Sequence, residues 1–225
     1  VMERAQLHGG RGVAVTFDPH PQALLHPERA PVPLTSLPER IELLAALGLD
    51  RLVIIPFTRE LADVSAEAFV TEYLLARLGA KELYVGGNFG FGRGKAGNVA
   101  LLARMSREHG FHFAVVDEVT DAGQMISSTR IRGLLAAGDV AAAADELGRP
   151  YQLRGRVVRG DGRGRTLSFP TANLAPEKTC VAANGVSRYR ASGLRSTIGS
   201  ARLCRKARKR GSLRYARSRD ARCSW

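Results

Sequence analysis

The sequence predicts an α/β protein: a parallel sheet built from strand-helix-strand units, followed by the start of a separate all-β region. Three observations carry that expectation. Short β-branched runs alternate with helical runs of about 10 to 15 residues as far as Arg149, which is the pattern of βαβ units with a sheet covered on both faces. Beyond Arg149-Pro150 the period changes to the apolar/polar alternation of an antiparallel hairpin. The charge is also divided, with 21 Lys+Arg against 20 Asp+Glu over residues 1–186 and 13 basic residues against the single Asp220 over 187–225. Nearly all of the net +13 therefore belongs to the tail, and the body is close to neutral.

Taken in order, Val1 to His8 reads as the end of a helix. Gly12-Val13-Ala14-Val15-Thr16-Phe17 is a buried strand that stops at the turn Asp18-Pro19-His20-Pro21. Ser36-Leu37-Pro38-Glu39 is a capping box with Pro in the first turn, opening a helix over Arg40 to Leu47 that Gly48 ends. Arg51 to Ile55 is the next strand, and Ser65 caps an amphipathic helix running to Leu78. Glu82 to Val85 leads into a glycine-rich loop from Gly86 to Gly97. Asn98 then starts a helix to about His109, and Phe111 to Val119 is a strand. Ile126 to Arg132 directly precedes a helical run from Gly133 to Leu147. After Pro150, Tyr151 to Arg159 alternates, Asp161 to Arg165 turns, and Thr166 to Leu174 returns as the second strand of a hairpin. Ser187 to Trp225 shows neither a strand nor a helix period.

With 225 residues and 44% hydrophobic content the chain can bury a real core. No run approaches the roughly 18 to 20 apolar residues of a membrane span, no secretory layout opens the chain, and a cytoplasmic protein is expected. Cys180, Cys204 and Cys223 are odd in number and widely spaced, which indicates neither a disulfide framework nor a zinc site. G-x-S-x-G and H-E-x-x-H are absent, so hydrolysis by a nucleophile or by metal-bound water has no support.

Ligands of an open parallel sheet sit beyond the carboxyl ends of its strands. That rule places Asp18 to Pro21, Gly86 to Gly97 and Ser127 to Arg132 along one edge. Ser127-Ser128-Thr129 at a helix start, followed by Arg132, can offer amides, hydroxyls and a guanidinium to one phosphate; the same residues also make an ordinary N-cap. The glycine loop matches G-x-G-x-x-G from Gly92 to Gly97, but it fails as a Walker A loop because Phe89 and Ala96 stand where Gly and Ser/Thr are required. It offers close backbone approach, two rings at Phe89 and Phe91, and two cations; a flexible surface loop is the alternative. His20 is a candidate phosphate contact or proton donor, or a hydrogen-bonded structural histidine.

Thr16-Phe17-Asp18-Pro19-His20-Pro21, the block from Val85 to Gly92, Ser127 to Arg132, and Arg165-Thr166-Leu167-Ser168-Phe169-Pro170-Thr171-Ala172-Asn173-Leu174 together resemble the prokaryotic bifunctional riboflavin kinase/FMN adenylyltransferases, or FAD synthetases. The resemblance covers residues 1 to about 186. It implies a nucleotidyltransferase (Rossmann-like) domain over 1–149, part of a β-barrel kinase domain over 150–186, and a basic tail over 187–225. It implies the substrates ATP, FMN and riboflavin with Mg²⁺, ATP phosphates held by Ser128, Thr129 and Arg132, and a nucleotide and flavin side lined by Phe17, Asp18, Pro21, Asn88, Phe89, Phe91 and Gly92. His20 remains the candidate catalytic residue. In the kinase half the resemblance implies ATP and Mg²⁺ contacts at Gly162, Gly164, Thr171 and Asn173, with Thr171 and Asn173 as the metal ligands.

The sequence departs from the family in three places. The family opens with a strand and a G-x-F-D-G-x-H-x-G-H turn, and Val1 is expected to begin just after it. Gly90 and Ser168 stand where Arg or Thr, and Gly, are common. The tail lacks the aromatic, alternating run expected after Asn184-Gly185-Val186. A competing class is a nucleic-acid binder that uses the arginine-rich tail as an electrostatic arm. The basic excess, two of three cysteines and Trp225 all follow Val186, which leads to the hypothesis that the reading frame shifts there. Resequencing the gene is expected to show that shift, and one uninterrupted frame through codon 187 refutes it.

Overall fold

The computed structural model describes residues 1–121, 123–158, 171–177, 180–183, 186–189, 201–204 and 213–216. It divides into two compact units, Val1–Pro31 with Leu37–Met125, and Val32–Ser36 with Ile126–Trp225.

In the first unit, helix α1 (Met2–Leu7) precedes strand β1 (Val13–Asp18), and the short helix α2 (Pro21–Leu25) follows the strand directly. Helix α3 (Leu37–Ala46) leads to β2 (Arg51–Pro56), which pairs parallel to β1 from Val13 opposite Arg51 to Asp18 opposite Pro56. Helix α4 (Arg59–Ala62) and helix α5 (Ala66–Ala68), which continues as a π-wound helix over Phe69–Arg77, lead to β3 (Glu82–Gly86). Helix α6 (Val99–His109) then leads to β4 (His112–Val116), parallel to β3 with Glu82 opposite His112 and Gly86 opposite Val116. A two-residue ladder of β5 (Thr120–Asp121) and β6 (Gln124–Met125) ends the unit.

Local signals account for most of these boundaries. Thr58, Ser65 and Asn98 each accept a backbone amide three residues on, from Leu61, Ala68 and Leu101. Gly110 closes α6 in the left-handed conformation that glycine adopts without a Cβ penalty. The π-wound stretch departs from the expected amphipathic α-helix. Its buried positions explain why: Phe69 and Leu74 are five residues apart, as are buried Val70 and half-buried Leu75. The wider turn brings these pairs onto one side, where they join Leu102, Met105 and Phe111 in the core.

The expected continuous parallel sheet is instead two separate parallel pairs, β1 with β2 and β3 with β4. Each pair is one βαβ unit closed on itself, because the crossover helix returns a strand beside the one it left. A cleft of about 830 Å³ lies along β1 and β3, lined by Val13, Val15, Phe17, Phe69, Leu83 and Val85 among others. Val13 and Val15 remain 37% and 39% exposed, where a sheet covered on both faces would bury them.

Helix α1 is fastened beside this cleft by ions rather than by core residues, since none of its residues is buried. Arg4 donates from Nε and Nη2 to the two carboxylate oxygens of Glu82 at 3.2 and 2.6 Å, the fork geometry suited to a carboxylate. Tyr84 donates its hydroxyl to the same carboxylate at 2.8 Å, and His8 Nε2 lies 3.2 Å away.

In the second unit, α7 (Ser128–Ala137) and α8 (Val140–Leu147) replace the single expected helical run from Gly133. The run begins five residues earlier because Ser127 caps it, and it breaks where Gly138 takes φ 85° and Asp139 caps α8 by accepting the Ala142 amide at 3.0 Å. Ile131, Leu135, Ala143, Tyr151, Cys180 and Ala182 form its core, with Leu34 packed against them. A five-stranded antiparallel sheet contains β7 (Gly155–Val158), β8 (Thr171–Pro176), β9 (Val186–Tyr189), β10 (Ala201–Cys204) and β11 (Leu213–Ala216), in the spatial order β7, β8, β11, β10, β9. The strand expected from Tyr151 thus begins only at Gly155. The last three strands correct the expectation that residues 187–225 carry no strand period. Ala201-Arg202-Leu203 and Leu213-Arg214-Tyr215 each alternate apolar and basic residues, a signal too short to stand out in a basic run. The turn from Asp161 to Arg165 lies outside the described residues.

Glu82 supplies a pH test. Its hydrogen bonds from Arg4 and then Tyr84 hold its carboxyl at about 2, below the ordinary 4.5. A lowered folded-state value means stability that is complete above about 4.5 and lost as pH falls toward about 2. Melting curves across this range should show that loss, and Glu82→Gln should flatten it; an identical profile in the variant would exclude the fork as its source.

Candidate functional site

The carboxyl end of β1 is continuous with a tile of aromatic rings. Phe17 meets Phe57 edge-on at 5.5 Å and Phe69 at 6.1 Å, Phe69 meets Phe91 at 6.2 Å, and Phe91 stacks on Phe89 at 5.2 Å. Three rings singled out in the sequence, Phe17, Phe89 and Phe91, are therefore brought together, with Phe69 as the ring that joins them. Sequence reasoning missed Phe69 and Phe57. The parallel register offered a signal for Phe57, which follows the residue paired with Asp18 and donates its amide to the Asp18 carbonyl at 3.2 Å. Phe17, Gly86, Phe89 and Phe91 all line the cleft. Phe91 is nonetheless a core residue, 7% exposed, and Phe89 is the half-buried one. The expected pair of stacking surfaces thus reduces to Phe89 backed by Phe91.

The glycine loop is fastened, in contrast to the alternative of a flexible surface loop. Phe91 and Gly97 exchange both backbone hydrogen bonds, at 3.2 and 2.9 Å, and the Arg93 amide reaches the Val64 carbonyl at 2.8 Å. Gly92 has φ 71° and lies so close to α5 that an added Cβ would stand 2.5 Å from the Ala66 backbone. Only glycine allows this approach, and the approach fixes Phe91 over the core. Asn88, Arg93 and Lys95 remain exposed on the loop, with Lys95 itself at φ 57°. Asp18 is exposed at the end of β1. His20 caps α2, its Nδ1 accepting the Gln22 amide at 3.2 Å, and Pro21 occupies the first helical position. The structural role weighed for His20 is present in this bond.

In the second unit Ser127 supplies the cap of α7: its Oγ accepts the Arg130 amide at 3.2 Å, and its carbonyl accepts the Ile131 amide at 3.0 Å. Ser128 and Thr129 stay exposed in the first turn. Arg130 turns to Glu146 of α8, whose side chain is 4% exposed. Arg132 donates Nε to the Val32 carbonyl at 2.6 Å. The cap thus falls to Ser127, and Ser128 and Thr129 are left exposed beside it. Thr171 and Asn173 lie in β8, Asn173 in register with Val158 on one side and Arg214 on the other. Gly162 and Gly164 lie outside the described residues. Among the described residues no group of three His, Cys, Asp or Glu could hold a metal ion, and no helix is long and apolar enough to cross a membrane.

Two parallel βαβ pairs beside an aromatic cleft make the first unit an α/β fold, and in the second unit a helix opens on exposed hydroxyls. Residues 1–130 match the family model of FAD synthetase, and residues 147–201 match that of riboflavin kinase. The chain belongs to the FAD synthetase family. It is 36% identical over 182 residues to the bifunctional riboflavin kinase/FMN adenylyltransferase of Escherichia coli K12, covering 81% of this chain and 58% of that protein. Its identity to the enzyme of the same description from Listeria monocytogenes is 36% over 178 residues, covering 77% and 56%. The chain thus spans less than three fifths of the curated relatives it matches. A crystal structure described as a macrolide-efflux protein from Streptococcus pneumoniae superposes with a TM-score of 0.82 at 28% identity, over 98% of this chain and 73% of that one.

Gly92→Ala is expected to lower stability by about 2 kcal/mol or more, from the strained φ and the displaced Ala66 backbone. Urea unfolding measures it, and an unchanged midpoint would show that the loop does not depend on this approach.

Proposed function

We propose that this chain is an FMN adenylyltransferase module carrying part of a riboflavin kinase module. The domains are 1–149 and 150–186, with 187–225 as a basic extension. The observation that carries the reading is the division of labour at α7: Ser127 takes the cap, so the Ser128 and Thr129 groups and the terminal nitrogens of Arg132 remain to receive a polyphosphate. The family match of residues 1–130 supports the same reading.

In adenylyl transfer an oxygen of the FMN phosphate attacks the α-phosphorus of ATP. The bond from that phosphorus to the bridging oxygen breaks, and pyrophosphate leaves with the electron pair, giving FAD. The protein's part is alignment and charge. Ser128 and Thr129 orient the phosphates through hydroxyls and helix-terminal amides, and Arg132 balances charge building on the leaving group. Phe17, Asp18, Pro21, Asn88 and Gly92 form the nucleotide and flavin side, Phe89 presents a ring to an aromatic heterocycle, and Phe91 supports it. His20, whose Nδ1 accepts the Gln22 amide, is the candidate proton carrier.

In the kinase module the reaction is transfer of the ATP γ-phosphoryl group to riboflavin, giving FMN and ADP. Thr171 and Asn173 would hold Mg²⁺, with Gly162 and Gly164 on the ATP side; hydroxyl and amide oxygens are the hard donors that this ion accepts. Bound there, Mg²⁺ would neutralise phosphate charge. ATP and flavins as substrates support a cytoplasmic location.

Calorimetric titration of ATP and FMN, with pyrophosphate release as the rate assay, tests the proposal. Both ligands should bind, Ser128→Ala should weaken ATP, and Arg132→Ala should weaken it by roughly tenfold or more, the worth of a hydrogen bond to a charged group. ATP and FMN binding should survive removal of residues 187–225. Absence of both, with salt-sensitive RNA binding that disappears with the tail, would give the chain to the nucleic-acid class instead.

A further inference from the structure

Arg132 does not reach the phosphate turn unaided. Its Nε is spent on the Val32 carbonyl at 2.6 Å, which leaves the two terminal nitrogens of the fork for another partner. Val32 lies a hundred residues earlier in the chain, in a five-residue strap, Val32–Ser36, that belongs to the same compact unit as α7. Pro31 and Pro33 flank Val32, restricting the backbone on both sides of the carbonyl.

A buried side chain helps to hold the strap. Tyr151, 8% exposed, places its hydroxyl 3.2 Å from the Leu34 carbonyl and 2.8 Å from the Cys180 carbonyl. A phenol has a single proton, so these two carbonyls share it, and its removal would leave both without this donor. The Leu34 side chain adds apolar packing against the core of Ile131, Leu135 and Tyr151. The sequence of contacts is continuous, from the Tyr151 hydroxyl to the strap at Leu34, and from the strap at Val32 to the Arg132 guanidinium. Tyr151 and Cys180 both fall in the segment that matches riboflavin kinase, whereas Arg132 lies just beyond the segment, residues 1–130, that matches FAD synthetase.

We propose that Tyr151 is a positioning residue for ATP, whose hydroxyl fixes the Val32–Ser36 strap so that the Val32 carbonyl aims the Arg132 guanidinium at the phosphates. The inference rests on the reading of Arg132 as a phosphate ligand. It makes a residue of the kinase-like segment part of the machinery of adenylyl transfer.

Four forms of the full chain test it by calorimetric titration with ATP: the natural sequence, Arg132→Ala, Tyr151→Phe and the double variant. Tyr151→Phe keeps the buried ring and removes only the hydroxyl. It should weaken ATP by roughly three- to tenfold, the worth of one buried hydrogen bond. The double variant should bind ATP no more weakly than Arg132→Ala alone, because without the guanidinium there is nothing left for the strap to aim. Thermal melting checks that each form is folded. Should Tyr151→Phe fail that check, Pro33→Gly loosens the strap without touching the core, and the same loss, again absent in the Arg132→Ala background, is expected. Losses that multiply in the double variant, or ATP affinity unchanged in a folded Tyr151→Phe or Pro33→Gly, overturn the positioning role and leave the phosphate reading standing. ATP affinity unchanged in Arg132→Ala overturns the phosphate reading, and this inference falls with it.

Discussion

The first amides of a helix have no partner within it, and α7 meets that requirement with a single side chain, Ser127. The phosphate contacts proposed at α7 depend on which groups this cap consumes. It takes the Arg130 amide and orders the first turn, leaving Ser128 and Thr129 exposed. Arg130 is drawn to Glu146 and ties α7 to α8, while Arg132 is drawn to the strap. One seryl hydroxyl thus separates the residues that hold the helix from those proposed to hold a phosphate.

The first unit solves a different problem, the presentation of apolar surface next to water. Its aromatic tile runs from Phe57 through Phe17 and Phe69 to Phe91 and Phe89, so the half-buried ring of Phe89 is backed by a packed core. The approach of Gly92 to Ala66 and the reciprocal bonds of Phe91 and Gly97 keep that backing in place. A loop built this way pairs an exposed polar edge at Asn88, Arg93 and Lys95 with a rigid apolar wall, and binding sites commonly need both.

Charge serves three separate purposes in this chain. The fork between Arg4 and Glu82 fastens a helix that has no buried residue of its own. The pair of Arg130 and Glu146, with the glutamate buried, joins two helices of the second unit. The large basic excess of residues 187–225 has no part in either. A net charge of +13 is therefore a poor guide to what the body of the protein does, and the family match agrees with the near-neutral body rather than with the tail.

The sequence by itself determined what depends on neighbours a few residues away. Caps at Ser65, Asn98 and Ser127, the strand at Val13 to Phe17, and the βαβ alternation were all legible, because a cap or a strand period is written within one or two turns of chain. The motif order was enough to reach the family. Tertiary structure decided what depends on packing. It split the sheet into two pairs, wound Phe69–Arg77 as a π-helix to bury residues five apart, ended α7 at Gly138, and supplied strands within the tail. It also joined Phe69 to the rings of the cleft, and brought Val32, Arg132 and Tyr151 into one chain of contacts across more than a hundred residues. No local pattern encodes such contacts, since a carbonyl at Val32 looks like any other until the core around Leu34 and Tyr151 has closed.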